Sequence, residues 1–167
     1  MKKFIRLSVL VSIITMTTAC KNRNETTVPE TTPTTEQNET VSTSENTLEI
    51  ESTDQMQYST NELKAGVGTV KLTLKHTGKM DKAVMGHNLI ILKPGTDITA
   101  FTQKAALEKA TDYIPESEKA SIIAHTRLLG GGESDTIEFT ISEPGTYDFL
   151  CSFPGHSALM KGKLVVE

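Results

Sequence analysis

The stretch from Tyr147 to Met160, YDFLCSFPGHSALM, constrains this chain more than any other. It sets Cys151, His156 and Met160 in a C-x4-H-x3-M pattern, which offers a thiol, an imidazole and a thioether on one short loop. Thiolate and imidazole together select copper or zinc over hard cations, and a thioether favours copper further. A complete site needs one more ligand. His87, in Val84-Met85-Gly86-His87-Asn88, supplies it from far upstream. Two His and one Cys in a plane, with Met as a long axial ligand, describe a blue-copper electron-transfer centre. A chain that builds one must fold so that two distant segments meet. Taken singly, a strand Cys is a small core residue and a lone Met fills gaps. The loop spacing and the apolar run Phe153-Pro154-Gly155 favour the metal.

The region that must bring these segments together reads as short strands and turns. Val70, Leu72 and Leu74 alternate with Lys71, Thr73 and Lys75, which predicts a half-buried strand. Leu48 and Ile50, Met56 and Tyr58, and Ile137, Phe139 and Ile141 follow the same period. His87 to Leu92 is more continuously apolar, as expected of a strand covered on both faces, and Lys93-Pro94-Gly95 breaks it. Ile122 to Leu129 returns to strand character, and Gly130-Gly131-Gly132 turns the chain. Tyr147, Phe149 and Cys151 share one face of a strand by the two-residue period, and Leu164 to Val166 closes the chain. Asp97 to Ala110 is the exception: it is rich in helix formers, with Asp97 or Thr99 to cap its start. The expected fold is all-β, a Greek-key β-sandwich with one helical segment inserted between strands.

Residues 1–19 stand apart from that fold. Lys2, Lys3 and Arg6 precede an apolar run, Leu7 to Met16, too short to span a bilayer. Thr17-Thr18-Ala19-Cys20 follows and resembles a bacterial lipoprotein signal, in which Cys20 becomes the acylated first residue. Thr17 departs from the aliphatic residue usual there. The alternative is an ordinary signal peptide and a released periplasmic protein. The chain has two Cys, so lipidation of Cys20 leaves Cys151 as the single thiol of an exported protein, which a metal bond would protect. Removing the leader's three cationic side chains takes the formal charge from −4 to −7. Nucleic acid and anionic membrane surfaces are poor partners for so acidic a protein. Residues 20–46, rich in Thr, Glu, Asn and Ser, have too little apolar surface to offset ordering entropy and read as a disordered tether. A flexible chain of that length spans about 28 Å and at full extension approaches ~85 Å.

Residues 47–167 resemble the azurins, bacterial blue-copper proteins of the cupredoxin family. The resemblance rests on Asp54-Gln55-Met56-Gln57, Val84-Met85-Gly86-His87-Asn88, Ile123-Ala124-His125-Thr126 and Phe153 to Gly162. The C-x4-H-x3-M spacing is itself discriminating, since related cupredoxins generally place two residues between Cys and His. With the leader, the chain looks like a lipid-anchored azurin. The resemblance implies one type 1 copper per chain, with His87, Cys151 and His156 as equatorial ligands. Met160 would be the axial ligand and the Gly86 carbonyl would lie opposite it. Asn88 would tie the two ligand segments together, and the Phe153 backbone N–H would donate to the thiolate. Met56, Met80, Val84, Met85, Phe153, Pro154, Gly155, Ala158 and Leu159 would form an apolar docking patch through which His156 reaches the surface. His76 matches a partly buried histidine that can couple protonation to redox state, or it is a satisfied polar group. His125 matches a surface histidine without assigned function. Two features depart from the family. Asn46 falls where a disulfide usually begins, a staple that contributes about 2–4 kcal/mol. Leu89 stands where some azurins bury a Trp.

No position of such a site is open to substrate, which points to a carrier and not an enzyme. The expected role is single-electron transfer in a Gram-negative cell envelope, as a monomer. Its partners would be periplasmic redox proteins such as c-type cytochromes and a terminal reductase or peroxidase. Copper buffering or delivery is the alternative, but it usually uses exchangeable Met- or Cys-rich sites. A copper nitrite reductase would need a second His set, and only His76 and His125 remain.

Overall fold

The computed structural model describes residues 46–167, in which nine strands form two sheets. In chain order the strands are β1 (Thr47–Thr53), β2 (Gln57–Tyr58), β3 (Glu62–Ala65), β4 (Gly68–His76), β5 (Ile90–Leu92), β6 (Ile122–His125), β7 (Ser134–Ile141), β8 (Gly145–Leu150) and β9 (Lys161–Val166). One sheet has the order β2-β1-β4-β7 and the other β3-β9-β8-β5-β6. β1 with β4, and β3 with β9, pair parallel; the remaining neighbours run antiparallel. The chain changes sheet between β2 and β3, β3 and β4, β4 and β5, β6 and β7, and β7 and β8. These crossings give the sandwich its Greek-key character.

The alternation legible in the sequence sets the core. Val70, Leu72 and Leu74 of β4 face Ile50 of β1 and Phe139 and Ile141 of β7 on the inner side of the first sheet. Leu63, Ile91, Tyr147, Phe149, Leu164 and Val166 cover them from the second. Each such large side chain contributes about 1.5–3 kcal/mol on burial. Leu89, at the position of the Trp in some azurins, is fully buried in this cluster.

A smaller cluster explains the continuous apolarity before Lys93. Ile90, Leu92 and Leu150 point to the outer face of the second sheet, where Phe101, Ala105 and Ile114 cover them. Phe101 and Ala105 belong to a helix at Ile98–Ala105. Asp97 caps it by accepting the Ala100 N–H at 3.0 Å. The helix is shorter than the Asp97–Ala110 segment expected from composition. After Ala106 the chain passes through a 3-10 turn, Lys109–Thr111, and two successive left-handed residues, Asp112 (φ 55°) and Tyr113 (φ 63°).

Three strand expectations are also corrected. β5 begins at Ile90, not at His87, because the backbone groups just before it bond elsewhere: the Asn88 carbonyl accepts from the Tyr58 hydroxyl, and the Leu89 N–H donates to Thr126 Oγ1. β6 ends at His125, and Leu129 makes only an isolated bridge with His87. Met56, expected in a strand, is the φ 55° residue of the turn between β1 and β2.

Asn46 lies at the first described position. Its side-chain oxygen accepts the Gly66 N–H at 2.7 Å and its nitrogen donates to the Thr69 carbonyl at 3.1 Å. These bonds pin the start of β1 to the turn between β3 and β4, at the position where azurins begin their disulfide. Cys20, the leader and the rest of the tether, up to residue 45, lie outside the described residues, whereas Asn46, expected in the tether, is held in the fold. Among the described residues no helix is long and apolar enough to cross a membrane.

Candidate metal centre

At one end of the sandwich, β8 delivers the chain to Cys151, and the loop to β9 carries His156 and Met160. The loop is closed by its own backbone bonds. Cys151 N–H donates to the Met160 carbonyl (3.0 Å), and the His156 carbonyl accepts from Leu159 N–H (3.0 Å) and Met160 N–H (2.8 Å). Gly155 turns the loop with φ 83° before a 3-10 turn at His156–Ala158, where a side chain would be strained. On the facing side, a four-residue helix at Lys82–Met85 ends in Gly86. A Cβ on Gly86 would meet the Lys82 carbonyl oxygen at 2.5 Å and Leu128 Cδ2 at 2.9 Å, so only glycine lets the chain pass.

The two segments are joined by Asn88 and Ser152, both buried. Asn88 Oδ1 accepts the Ser152 N–H at 2.9 Å, and Asn88 Nδ2 donates to Ser152 Oγ at 2.9 Å and to the Asp112 carbonyl at 3.3 Å. Asn88 thus bridges the two segments and also captures the left-handed turn at Asp112.

The joined segments bring His87, Cys151 and His156 together, with ligand atoms all within 4.8 Å of one another and all three residues buried. His87 Nδ1 lies 3.2 Å from His156 Nδ1, and Cys151 Sγ lies 3.8 Å from that same His156 nitrogen. The other nitrogen of His87, Nε2, is 2.9 Å from the Thr53 carbonyl, which can only accept. Nε2 therefore carries the proton and Nδ1 presents its lone pair to the centre, the tautomer a metal ligand needs. Burial, first of all, holds His87 down to about 4, with the nearby His76 and His156 adding to the shift. Burial likewise lowers His156. The same burial pushes the Cys151 thiol up to about 11, although the backbone N–H groups of Asn88 and Phe153 favour its thiolate. A buried, nitrogen-and-sulfur donor set of this kind suits a soft metal such as copper.

Met160, the last residue of the loop, is fully buried, and Gly86 is buried next to His87. Around them the expected apolar patch divides. Met80 (38 %), Val84 (59 %) and Leu159 (65 %) are exposed, as are Pro154, Gly155 and Ala158. Met56, Met85 and Phe153 are half-buried, and His156 itself is 4 % exposed. The Phe153 ring lies against His156, centroids 4.5 Å apart, and receives Tyr113 edge-on at 5.0 Å. His76 is fully buried, not partly: its Nε2 lies 3.1 Å from the Met85 carbonyl and its Nδ1 accepts the Gly78 N–H at 3.0 Å. The neutral ring satisfies both contacts. His125 is exposed, with Nδ1 3.1 Å from the Thr126 carbonyl, and takes no part in the centre.

Sequence reasoning did not single out Thr53, Tyr58, Thr126 or the Asn88 N–H, all of which hold the upstream ligand segment. Each of these contacts uses a backbone atom, which side-chain identity does not reveal.

The family described as copper binding proteins, plastocyanin/azurin family, matches residues 44–167. Azurin-2 of Alcaligenes xylosoxydans xylosoxydans is 41 % identical over 120 residues, covering 69 % of this chain and 92 % of that protein. Outer membrane protein H.8 of Neisseria gonorrhoeae is 39 % identical over 121 residues, covering 70 % of this chain and 65 % of that protein. Among solved structures, the azurin Az-iso2 of Methylomonas sp. strain J aligns with a TM-score of 0.65 at 29 % identity, over 72 % of this chain and 97 % of that one. Dithionite-reduced auracyanin of Roseiflexus castenholzii aligns with a TM-score of 0.63 at 37 % identity, over 73 % and 97 %. With a matching profile, a matching sandwich and a buried His–Cys–His cluster, the chain belongs to the plastocyanin/azurin family of copper binding proteins, and its cofactor is copper.

Proposed function

We propose that the protein is a membrane-anchored blue-copper electron carrier of the cell envelope, and not an enzyme. One observation carries the reading: His87 Nδ1, His156 Nδ1 and Cys151 Sγ converge in a buried cluster whose upstream histidine is already in the ligating tautomer. His87, Cys151 and His156 would hold the copper, with the Met160 thioether and the Gly86 carbonyl as further ligands. When bound, copper supplies a single electron and cycles between two oxidation states. The chain's part is to keep the ligands from rearranging. Asn88 and Ser152 lock the two ligand segments, and the N–H groups of Asn88 and Phe153 stabilise thiolate charge, which tunes the potential.

Electrons would pass through the face around His156. Leu159, Val84, Met80, Pro154, Gly155 and Ala158 give it an apolar, exposed rim suited to brief, low-area encounters. The partners would be periplasmic redox proteins such as c-type cytochromes and a terminal reductase or peroxidase. Lipidation at Cys20, with residues 20–45 as tether, would hold the copper-binding region at the membrane. The similarity to H.8 outer membrane proteins supports an envelope location in a Gram-negative bacterium.

Two variants of the full chain test this. Leu159→Glu should leave the optical spectrum unchanged and slow electron exchange with a c-type cytochrome at least tenfold, whereas an unchanged rate removes this face as the port. Cys20→Ala should move the protein from the membrane to the soluble fraction, and its retention there would refute the anchor.

A further inference from the structure

The turn joining β1 to β2 touches the upstream ligand segment at both ends. Before the turn, the Thr53 carbonyl accepts from His87 Nε2 at 2.9 Å. After it, the Tyr58 hydroxyl donates to the Asn88 carbonyl. Between them Asp54 fixes the turn to the next loop, accepting the Lys79 N–H at 2.8 Å and the Met80 N–H at 3.2 Å. Tyr58 is also anchored from below, its ring meeting Phe149 edge-on at 5.7 Å, on the strand that leads to Cys151. Asn88 is the residue this grip acts on, and it serves the site twice. Its N–H favours the Cys151 thiolate and its side chain holds Ser152.

We propose that Tyr58 is a positioning residue for electron transfer: its hydroxyl, together with the Thr53 carbonyl, clamps the His87–Asn88 dipeptide and so sets how closely the Asn88 N–H approaches the Cys151 sulfur. Thr53 acts through its backbone, leaving Tyr58 as the one side chain by which the clamp can be loosened. Weakening that N–H bond leaves more charge on the thiolate, which favours the oxidised metal and lowers the potential. A phenylalanine would keep the ring packing on Phe149 and remove only the hydroxyl. The inference rests on the ligand assignment proposed above, but its first readout does not require copper.

The test compares Tyr58→Phe with Ser59→Ala in the full chain. Ser59 Oγ accepts the Glu51 N–H at 3.0 Å, so its loss weakens the same hairpin without touching Asn88. In the metal-free protein, Tyr58→Phe should speed hydrogen exchange at the Asn88 amide by about threefold to tenfold, the range one lost hydrogen bond allows. Ser59→Ala should leave it unchanged. In the copper-loaded protein, Tyr58→Phe should lower the reduction potential and shift the thiolate-to-copper absorption band, while Ser59→Ala moves neither. Unchanged exchange, potential and band in Tyr58→Phe overturn the clamp, as do equal changes in both variants. A wild-type protein that binds copper without a charge-transfer band defeats the ligand assignment instead, and the exchange result then judges the clamp by itself.

Discussion

Asn88 and Ser152 close the metal centre with a reciprocal pair of buried hydrogen bonds, Ser152 N–H to Asn88 Oδ1 and Asn88 Nδ2 to Ser152 Oγ, each 2.9 Å long. Nothing else in the described residues links the two ligand segments by side-chain amide bonds. Replacing Asn88 by Ala strands a buried N–H and a buried hydroxyl away from water. We expect Asn88→Ala to lose about 2–4 kcal/mol of unfolding free energy in the metal-free protein, read from urea midpoints. A loss below about 0.5 kcal/mol would mean that the pair does not hold the segments together.

Cys151 would enter a copper-bound state as a thiolate but is a thiol when the site is metal-free, since burial pushes it up to about 11. His87 and His156, both lowered by burial, have no proton to give at neutral pH. Copper binding at pH 7 should therefore release about one proton per chain. Calorimetry in buffers of different ionisation enthalpy measures it, and Cys151→Ser should abolish the release. Release of two protons would contradict the neutral assignment of the histidines.

The lowered His87 also makes the metal-free fold sensitive to acid. The group titrates near 6.5 when unfolded and about 4 when folded, so the unfolded chain binds the extra proton first. The stability it contributes is present above pH 6.5 and is lost as the pH falls from there to about 4. The loss should reach about 3 kcal/mol. Denaturant midpoints across that range measure it, and His87→Gln should flatten the curve.

Asn46 offers a different test, remote from the copper. Its two bonds to Gly66 and Thr69 fix the first strand to the turn after β3. Both are partly exposed, so Asn46→Ala should cost about 1–2 kcal/mol and leave the optical spectrum unchanged. A shifted spectrum would show that the end of the sandwich away from the metal is coupled to it.

The clustering of His87, Cys151 and His156 is legible because the proposed chemistry depends on side chains, and these are rare types at telling spacings. The β4 and β7 strands were legible for a related reason, since Val70, Leu72 and Leu74 are buried on one face and their neighbours are not. The local structure just before β5 was hidden. Apolarity from Leu89 to Leu92 reports burial, and burial on two faces arises equally for a ladder and for a segment bonded to Tyr58 and Thr126. The helix was overextended because Leu107, Glu108 and Lys109 favour helix locally. Tertiary demands stop it at Ala105: Asp112 must turn left-handed to offer its carbonyl to Asn88. The four-residue helix before Gly86 buries no residue, so no pattern announced it.

The central claim is a copper-thiolate centre at Cys151, and the visible spectrum of the full chain after addition of copper(II) tests it most directly. The account predicts an intense band near ~600 nm, at one copper per chain, that is absent from Cys151→Ser. A colourless protein with copper bound under oxidising conditions would contradict it.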